Sequence, residues 1–244
     1  MSGVQGGFDL NTIIFSPEGR IYQLEYINED IKKKPILFGI KCKDGLMVIG
    51  QQKKHKMERN EHGSRGIYSI DRFNLIGGIG INGDILRLVN RAKVDSAKFK
   101  EIYSENLSGK VFLARLRELV HVHTMYWHLR PFGCILVLGS VYESKFNLFS
   151  IFPNGESIEC NYTIHGKNSF ILSHYMNDLK LHKYSCKNNL QKICKKMKII
   201  DGIKSEDFYE IFIFSRENLS FEKQISRNLD LELQRFMRCF DLNK

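Results

Sequence analysis

No run of 18 apolar residues occurs in the sequence, so no helical segment is long enough to span a bilayer. The opening residues, Met1 to Gly7, are small and polar. They hold none of the apolar stretch of a secretory leader, so no export signal is expected. The six cysteines (Cys42, Cys134, Cys160, Cys186, Cys194, Cys239) are scattered, and no two stand in a CxxC or CxxH spacing. Neither a zinc site nor a disulfide framework is indicated, and reduced thiols in a cytosolic compartment are expected. The sequons at Asn106, Asn161 and Asn218 then read as chance matches. Only four prolines are present, with no Pro/Ser-rich linker and no internal repeat, so residues 1–244 read as a single domain.

What is present is 43% apolar content in 244 residues, enough to bury a sizeable core. The formal net charge is +10, with lysines grouped at 32–34, 53–56 and 195–198. Nucleic-acid binding is one reading of such charge. The clusters lack interleaved aromatic side chains on which bases could stack, which favours solvated faces or acidic partners and no specific nucleic acid.

Residues 1–10 read as a mobile tail, because Gly3, Gly6 and Gly7 are costly to order. Ser16-Pro17-Glu18-Gly19-Arg20 signals a turn, and a helix with Ile21, Leu24 and Ile31 on one edge should end near Lys34-Pro35. Strands are expected at 36–41 and 46–50 around Lys43-Asp44-Gly45, and at 67–70 and 73–79. A helix should begin at Asp84 and a second, capped by Ser108, should run to about His128. The run at 133–140 shows no alternation and implies burial on both faces. It should pair with 146–152, followed by a turn at Pro153-Asn154-Gly155 and a single returning strand over 157–162. Two helices (167–181 and 187–200), a strand over 207–215 and a terminal helix over 226–240 complete the order. Strands fall in hairpin groups and helices in pairs, which describes facing antiparallel sheets with helix pairs outside, not a doubly wound parallel sheet.

Gly78, Gly80 and Gly83 form a G-x-G-x-x-G pattern after an apolar run. A dinucleotide turn also needs a parallel strand after the helix, ending in an acid about 20 residues beyond the glycines. A second helix stands there instead. Asp84 further sets a carboxylate at the helix N-terminus, where a pyrophosphate would have to dock. The glycines are read as a close-packed strand end and turn.

The segment at 8–33, with Phe15-Ser16-Pro17-Glu18-Gly19-Arg20 followed by Gln23, Glu25 and Tyr26, resembles the N-terminal signature of proteasome α-type subunits. Further landmarks follow in order: Gly39, Asp44-Gly45, Ile70-Asp71-Arg72, Gly77, Arg130-Pro131-Phe132-Gly133-Cys134, Gly139-Ser140 and Pro153-Asn154-Gly155. The resemblance extends over roughly 8–215, and "GIKCKDG" with "HVHTMYWHLRPFGC" is most similar to the seventh α type (α7) of eukaryotic 20S particles. The acidic tail typical of that type is not seen before Lys244.

The resemblance implies an α+β fold, the four-layer αββα sandwich of N-terminal-nucleophile hydrolases. It also implies a cytoplasmic and nuclear seven-membered α ring stacked on β-ring subunits, and a role in ubiquitin/proteasome-dependent protein degradation. No cofactor is implied. Active β subunits use a processed N-terminal threonine whose own amine is the base. None of Thr12, Thr124 and Thr163 follows a glycine, and cutting at Gly133-Cys134 or Gly139-Ser140 would remove over half the fold. There is no G-x-S-x-G elbow. His121 and His123, at i and i+2 on a helix, cannot chelate one metal. No catalytic residue and no metal ligand is therefore expected.

In place of catalysis, the resemblance implies that residues 16–33 cover the open end of the sandwich. It implies a gate cluster at Phe8, Asp9, Pro17 and Tyr26, where Phe8 departs from the family tyrosine and lacks its hydroxyl. It also implies a pocket in which Lys53 receives the terminal carboxylate of an activator or ATPase regulator tail, for which a point-charge ammonium is suited. A β-type threonine peptidase and a basic nucleic-acid-binding protein are the alternatives.

Overall fold

The structure, a computed structural model, describes residues 7, 8, 10, 12–52, 66–142, 145–177, 183–201, 208–215 and 221–226. The expected tail (1–6 and Asp9), the basic loop from Lys53, the last part of the 167–181 helix and most of the terminal helix lie outside the described residues.

After helix α1 (Tyr22–Ile31) come four strands: β1 (Leu37–Lys41), β2 (Gly45–Gln52), β3 (Ile67–Ser69) and β4 (Asn74–Gly80). Helices α2 (Asn82–Tyr103) and α3 (Gly109–Met125) follow. Then come β5 (Cys134–Tyr142), β6 (Lys145–Ile151), β7 (Ser157–Glu159) and β8 (Tyr162–His165). The described chain closes with α4 (Ser169–Asn177), α5 (Cys186–Asp201), β9 (Phe208–Ser215) and β10 (Phe221–Ser226). One sheet has the order β10-β9-β2-β1-β8 and the other β3-β4-β5-β6-β7, with every pairing antiparallel.

The two-residue period of each strand divides the core into three apolar layers. Leu37, Leu46, Val48, Phe212 and Phe214 face Leu75, Ile135, Val137 and Leu148 between the sheets. On the outer face of the first sheet, Phe38, Ile40, Met47 and Ile211 pack under Leu172 and Met176 of α4 and Leu190 and Ile193 of α5. On the outer face of the second, Ile76, Leu136 and Leu138 meet Ile85, Leu88 and Val89 of α2 and Phe112 and Leu116 of α3. The arrangement is the expected four-layer αββα sandwich. Both faces of β5 are buried, which is why residues 133–140 show no alternation.

Three details differ from the sequence expectation. The strand expected over 157–162 is two strands in different sheets. Cys160 N–H still donates to Leu148 O of β6 (3.0 Å), while Asn161 O already accepts from Lys41 N–H of β1 (2.8 Å). The chain changes sheets across that one peptide. Ser226, expected to begin a helix, ends β10, which pairs with β9. Ser108 does hold the N-cap position of α3, but its side chain makes no capping hydrogen bond, and α3 ends at Met125 rather than near His128.

Candidate functional site

The region with the greatest functional consequence is the end of the sandwich where β1 begins. Helix α1 lies against β4 and β5 there and sends Ile31 into the core between the sheets, where it is 3% exposed. The turn before α1 is closed from both sides. Ser16 N–H donates to Arg20 O (2.9 Å), and Gly19 N–H donates to Ser16 O (2.8 Å). Arg20 N–H also donates to the Ser16 hydroxyl oxygen at 3.1 Å. Gly19 has φ +74°, a left-handed conformation that favours glycine, and Pro17 presets the preceding corner. Beyond the turn, Arg20 pairs with Glu25, its guanidinium lies 5.1 Å from the Tyr22 ring centroid, and Tyr22 stacks with Tyr26 at 6.3 Å. The hydrogen bond from Ser16 holds the Glu18 carboxyl below its ordinary range.

From α1 the chain passes directly into β1 through Lys32-Lys33-Lys34-Pro35-Ile36, a stretch with no hydroxyl and no thiol. Its backbone is pinned, since Lys34 O accepts from Lys167 N–H at 2.9 Å. Gly166, at φ +108°, lets the two segments touch, and a Cβ there would stand 2.7 Å from Pro35 O. The strand head thus has neither an attacking group nor a free amine.

The three threonines stand elsewhere. Thr12 is buried before the Ser16 turn, and Thr124 donates to His121 O (2.7 Å). Thr163, on β8, belongs to a buried network that sequence spacing did not reveal. Its Oγ1 is 2.7 Å from Ser150 Oγ of β6 and 2.8 Å from His165 Nε2, which is 3.2 Å from Ser150 Oγ. A hydroxyl beside an imidazole can act as a nucleophile–base pair. Here Ser150 is 2% exposed, so a carbonyl substrate has no approach to it, and the network ties the edge strand of one sheet to the other. Burial depresses the imidazole to a pKa of about 4, so it is neutral at physiological pH. Burial also pushes the neighbouring Cys160 thiol up, against the hydrogen bonds of Ser150 and Thr163.

Gly78 and Gly80 have the close-packed role expected of them, whereas Gly83 lies in the first turn of α2 with open space around its Cα. A Cβ on Gly78 would stand 2.5 Å from Ile85, and one on Gly80, at φ +136°, 2.1 Å from Gly133 O. Strand β4 is antiparallel to β5, and α2 leads into α3. Asp84 occupies the N-terminus of α2. It accepts from both terminal nitrogens of Arg130 (2.6 and 2.7 Å) and from Gly133 N–H (2.8 Å). Burial alone would raise its pKa; the Arg130 and Gly133 hydrogen bonds outweigh burial and hold it below the ordinary value. Cys134, 3% exposed beside this carboxylate, is pushed up to about 12 by burial and is no nucleophile. His121 Nδ1 contacts Asn154 O (3.0 Å) and His123 Nδ1 contacts Leu119 O (2.9 Å), so these two rings are held by backbone carbonyls.

Of the expected gate residues, Phe8 is half-buried in a turn with Gly7, Pro17 is exposed in the Ser16 turn, and Tyr26 is exposed in the stack with Tyr22. Asp9 and Lys53 lie outside the described residues.

Two family models match the chain. One, the N-terminal signature of proteasome A-type subunits, covers residues 8–26, and the other, "Proteasome subunit", covers residues 36–208. The chain belongs to the proteasome subunit family. "Proteasome subunit alpha type-3" of Oryza sativa subsp. japonica is 33% identical over 207 residues, 84% of this chain and 82% of the relative. The protein of that name in Dictyostelium discoideum is 26% identical over 241 residues, covering 98% and 97%. "Proteasome subunit alpha" of Methanosphaerula palustris is 30% identical over 155 residues, 64% of each chain. The signature and these relatives place the chain on the α side of the family, and the β-type alternative is not favoured. The eukaryotic relatives carry the designation type-3, which does not support the seventh type expected above. Among the described residues no helix is long and apolar enough to cross a membrane.

Proposed function

We propose that this chain is a noncatalytic α-ring subunit of a 20S proteasome core particle. It takes the ring position of the type-3 subunits, scaffolds a seven-membered ring against its α neighbours and a β ring, and contributes to the substrate gate. The observation that carries this reading is the α signature at 8–26, folded as the Ser16 turn and the start of an α1 that packs on β4 and β5 and leads into a β1 whose head has no nucleophile. Large apolar side chains left exposed support an assembled state: Phe15 at 63%, Ile102 at 71%, Trp127 at 73% and Phe170 at 85%. The particle works in the cytoplasm and nucleus. Native mass spectrometry of the chain purified from its source should find it in a large complex with other proteasome subunits, its own intact mass unprocessed at a threonine. A free monomer, or a chain beginning at a liberated threonine with peptidase activity, would overturn the proposal.

Two finer assignments belong to the same proposal. Lys53 receives the carboxylate of a regulator tail. A charge-assisted hydrogen bond contributes about 1.5–3 kcal/mol, so Lys53→Ala should weaken binding of a regulator tail peptide by at least about tenfold. Unchanged affinity removes the assignment. Phe8, Asp9, Pro17 and Tyr26 hold the open gate, with Phe8 supplying packing but one hydrogen bond fewer than tyrosine, a loss of about 1 kcal/mol. An open-state structure with Phe8 remote from Pro17 and Tyr26 would remove that one.

A further inference from the structure

A second cluster lies on the opposite face of the first sheet from the inter-sheet core, and nothing in the proposed ring role uses it. Cys42 and Asp44 sit in the turn between β1 and β2, and Cys186 is the first residue of α5. The two cysteine Sγ atoms and an Asp44 carboxylate oxygen all lie within 4.8 Å of one another. Cys42 is 5% and Cys186 2% exposed, while Asp44 is half-buried at the rim. The ligands are already tied to one another and, through Cys42, to their surroundings. Asp44 Oδ1 accepts from Cys186 N–H (2.8 Å), and Cys42 N–H donates to Gly45 O (2.8 Å). Asn189 Nδ2 donates to Cys42 Sγ (3.3 Å), and Lys43 N–H donates to Tyr184 O (3.0 Å), joining the turn to the segment before α5.

We propose that Cys42, Asp44 and Cys186 bind one zinc ion, which clamps the β1–β2 turn to the N-terminus of α5. Two sulfurs and one carboxylate oxygen are the borderline-soft and hard donors that zinc accepts together. A tetrahedral site with three protein ligands leaves its fourth position to water, and the exposed Lys43 side of the turn is where water reaches it. Binding converts both thiols to thiolates and releases two protons, leaving a site of net charge −1 whose ligands adjoin Lys43 and Lys187 in sequence. Lys192 Nζ lies 3.2 Å from the centroid of the Tyr184 ring, and the Tyr184 carbonyl accepts from Lys43 N–H. The Asp44 carboxylate beside the two sulfurs opposes a thiolate there on its own, whereas a divalent cation converts the same carboxylate from an opposing charge into a ligand. No CxxC spacing announces the site, because its ligands are 142 residues apart across the Asp44–Cys186 hydrogen bond.

The full-length chain, reduced and stripped with a chelator, is titrated with zinc against a chromophoric chelator and, separately, with cobalt(II). One equivalent should bind, with a thiolate-to-cobalt charge-transfer band. Asp44→Asn, which keeps an acceptor for Cys186 N–H, should lower affinity by at least about tenfold. Cys42→Ser and Cys186→Ser should each abolish the band, and Cys160→Ser should leave it unchanged. Absence of a band in the wild-type chain overturns the proposal. So does a band that survives both serine variants, or a Cys42–Cys186 disulfide formed by a chain that binds no metal. If a serine variant fails to fold, the wild-type spectrum and Asp44→Asn decide.

Discussion

His165 makes the stability of this protein depend on pH in a defined window. Its folded pKa is depressed from about 6.5 to about 4 by burial, so the native state favours the neutral ring. The unfolded chain therefore binds the proton first as pH falls. Stability is complete above about pH 6.5, declines through the interval down to about pH 4, and loses nothing more from this group below it. A tenfold change in proton affinity corresponds to about 1.36 kcal/mol, so lowering the pH from about 7.5 to about 5 should cost about 2 kcal/mol through this ring. The structural cause is burial: an imidazolium at this position, packed edge-on to the Phe152 ring at 5.7 Å between centroids, would lose its hydration, and the two neighbouring hydroxyls do not make up that loss. The assay is urea unfolding across this range, on wild type and on His165→Gln, whose amide keeps hydrogen-bonding capacity but does not titrate. The other titrating groups contribute equally to both proteins, so the difference between the two pH profiles isolates His165. Parallel profiles would refute the reasoning, as would an imidazole resonance of His165 titrating near the ordinary value.

Asp84→Ala should destabilise by roughly 2–3 kcal/mol in the same assay. Most of that comes from leaving the buried Gly133 N–H without an acceptor, and at most about 1 kcal/mol from the ion pair, whose Arg130 side chain is 62% exposed. Because the Asp84 carboxyl is held below its ordinary range, its contribution is present above about pH 4 and is lost as pH falls further, a loss that Asp84→Asn should not show. Gly80→Ala should be more damaging, at several kcal/mol or with no soluble protein, since a Cβ would lie 2.1 Å from Gly133 O at a φ of +136°. Near-native thermal stability of Gly80→Ala would contradict the packing role given to that glycine.

Much of the sandwich was legible because local pattern and tertiary role coincide. The unalternating run at 133–140 is the central strand β5, flanked by β4 and β6 and covered on both faces. The Ser16–Arg20 turn was legible because proline and glycine each answer a backbone requirement there. What escaped had no local signature. The change of sheet at Cys160–Asn161 is one peptide in a chain that reads as extended throughout, and only the partners of its two hydrogen bonds distinguish the sheets. Strand β10 alternates weakly, and its place is decided by β9 offering a free edge. The Ser150–Thr163–His165 network joins β6 to β8, and the Cys42–Asp44–Cys186 cluster joins a turn to a helix far along the chain. Spacing rules detect side chains that one element presents together; the first group meets only after both sheets have formed, and the second only once α5 has docked beside the β1–β2 turn.

The same separation explains how a hydrolase architecture can stand without hydrolase chemistry. Threonine-type catalysis asks three things of one place: a hydroxyl at the head of the first strand, a free amine beside it, and an open approach. The packing of β1 against β2, β8 and the opposite sheet makes none of these demands, because it uses residues from Leu37 onward. The head of the strand is therefore free to serve another purpose. Here the amine is replaced by a peptide bond to α1, the hydroxyl by Pro35 and Ile36, and the approach by Ile31 and the Lys34–Lys167 hydrogen bond. Each replacement alone removes the chemistry, so no single substitution at Pro35 could restore it: a threonine there would still carry an amide nitrogen too weakly basic to take its proton. A segment that covers a catalytic mouth is then also a segment placed at the end of the sandwich with its own exposed face, and residues 8–26, the part of the chain that carries the α signature, are the ones that lead into it.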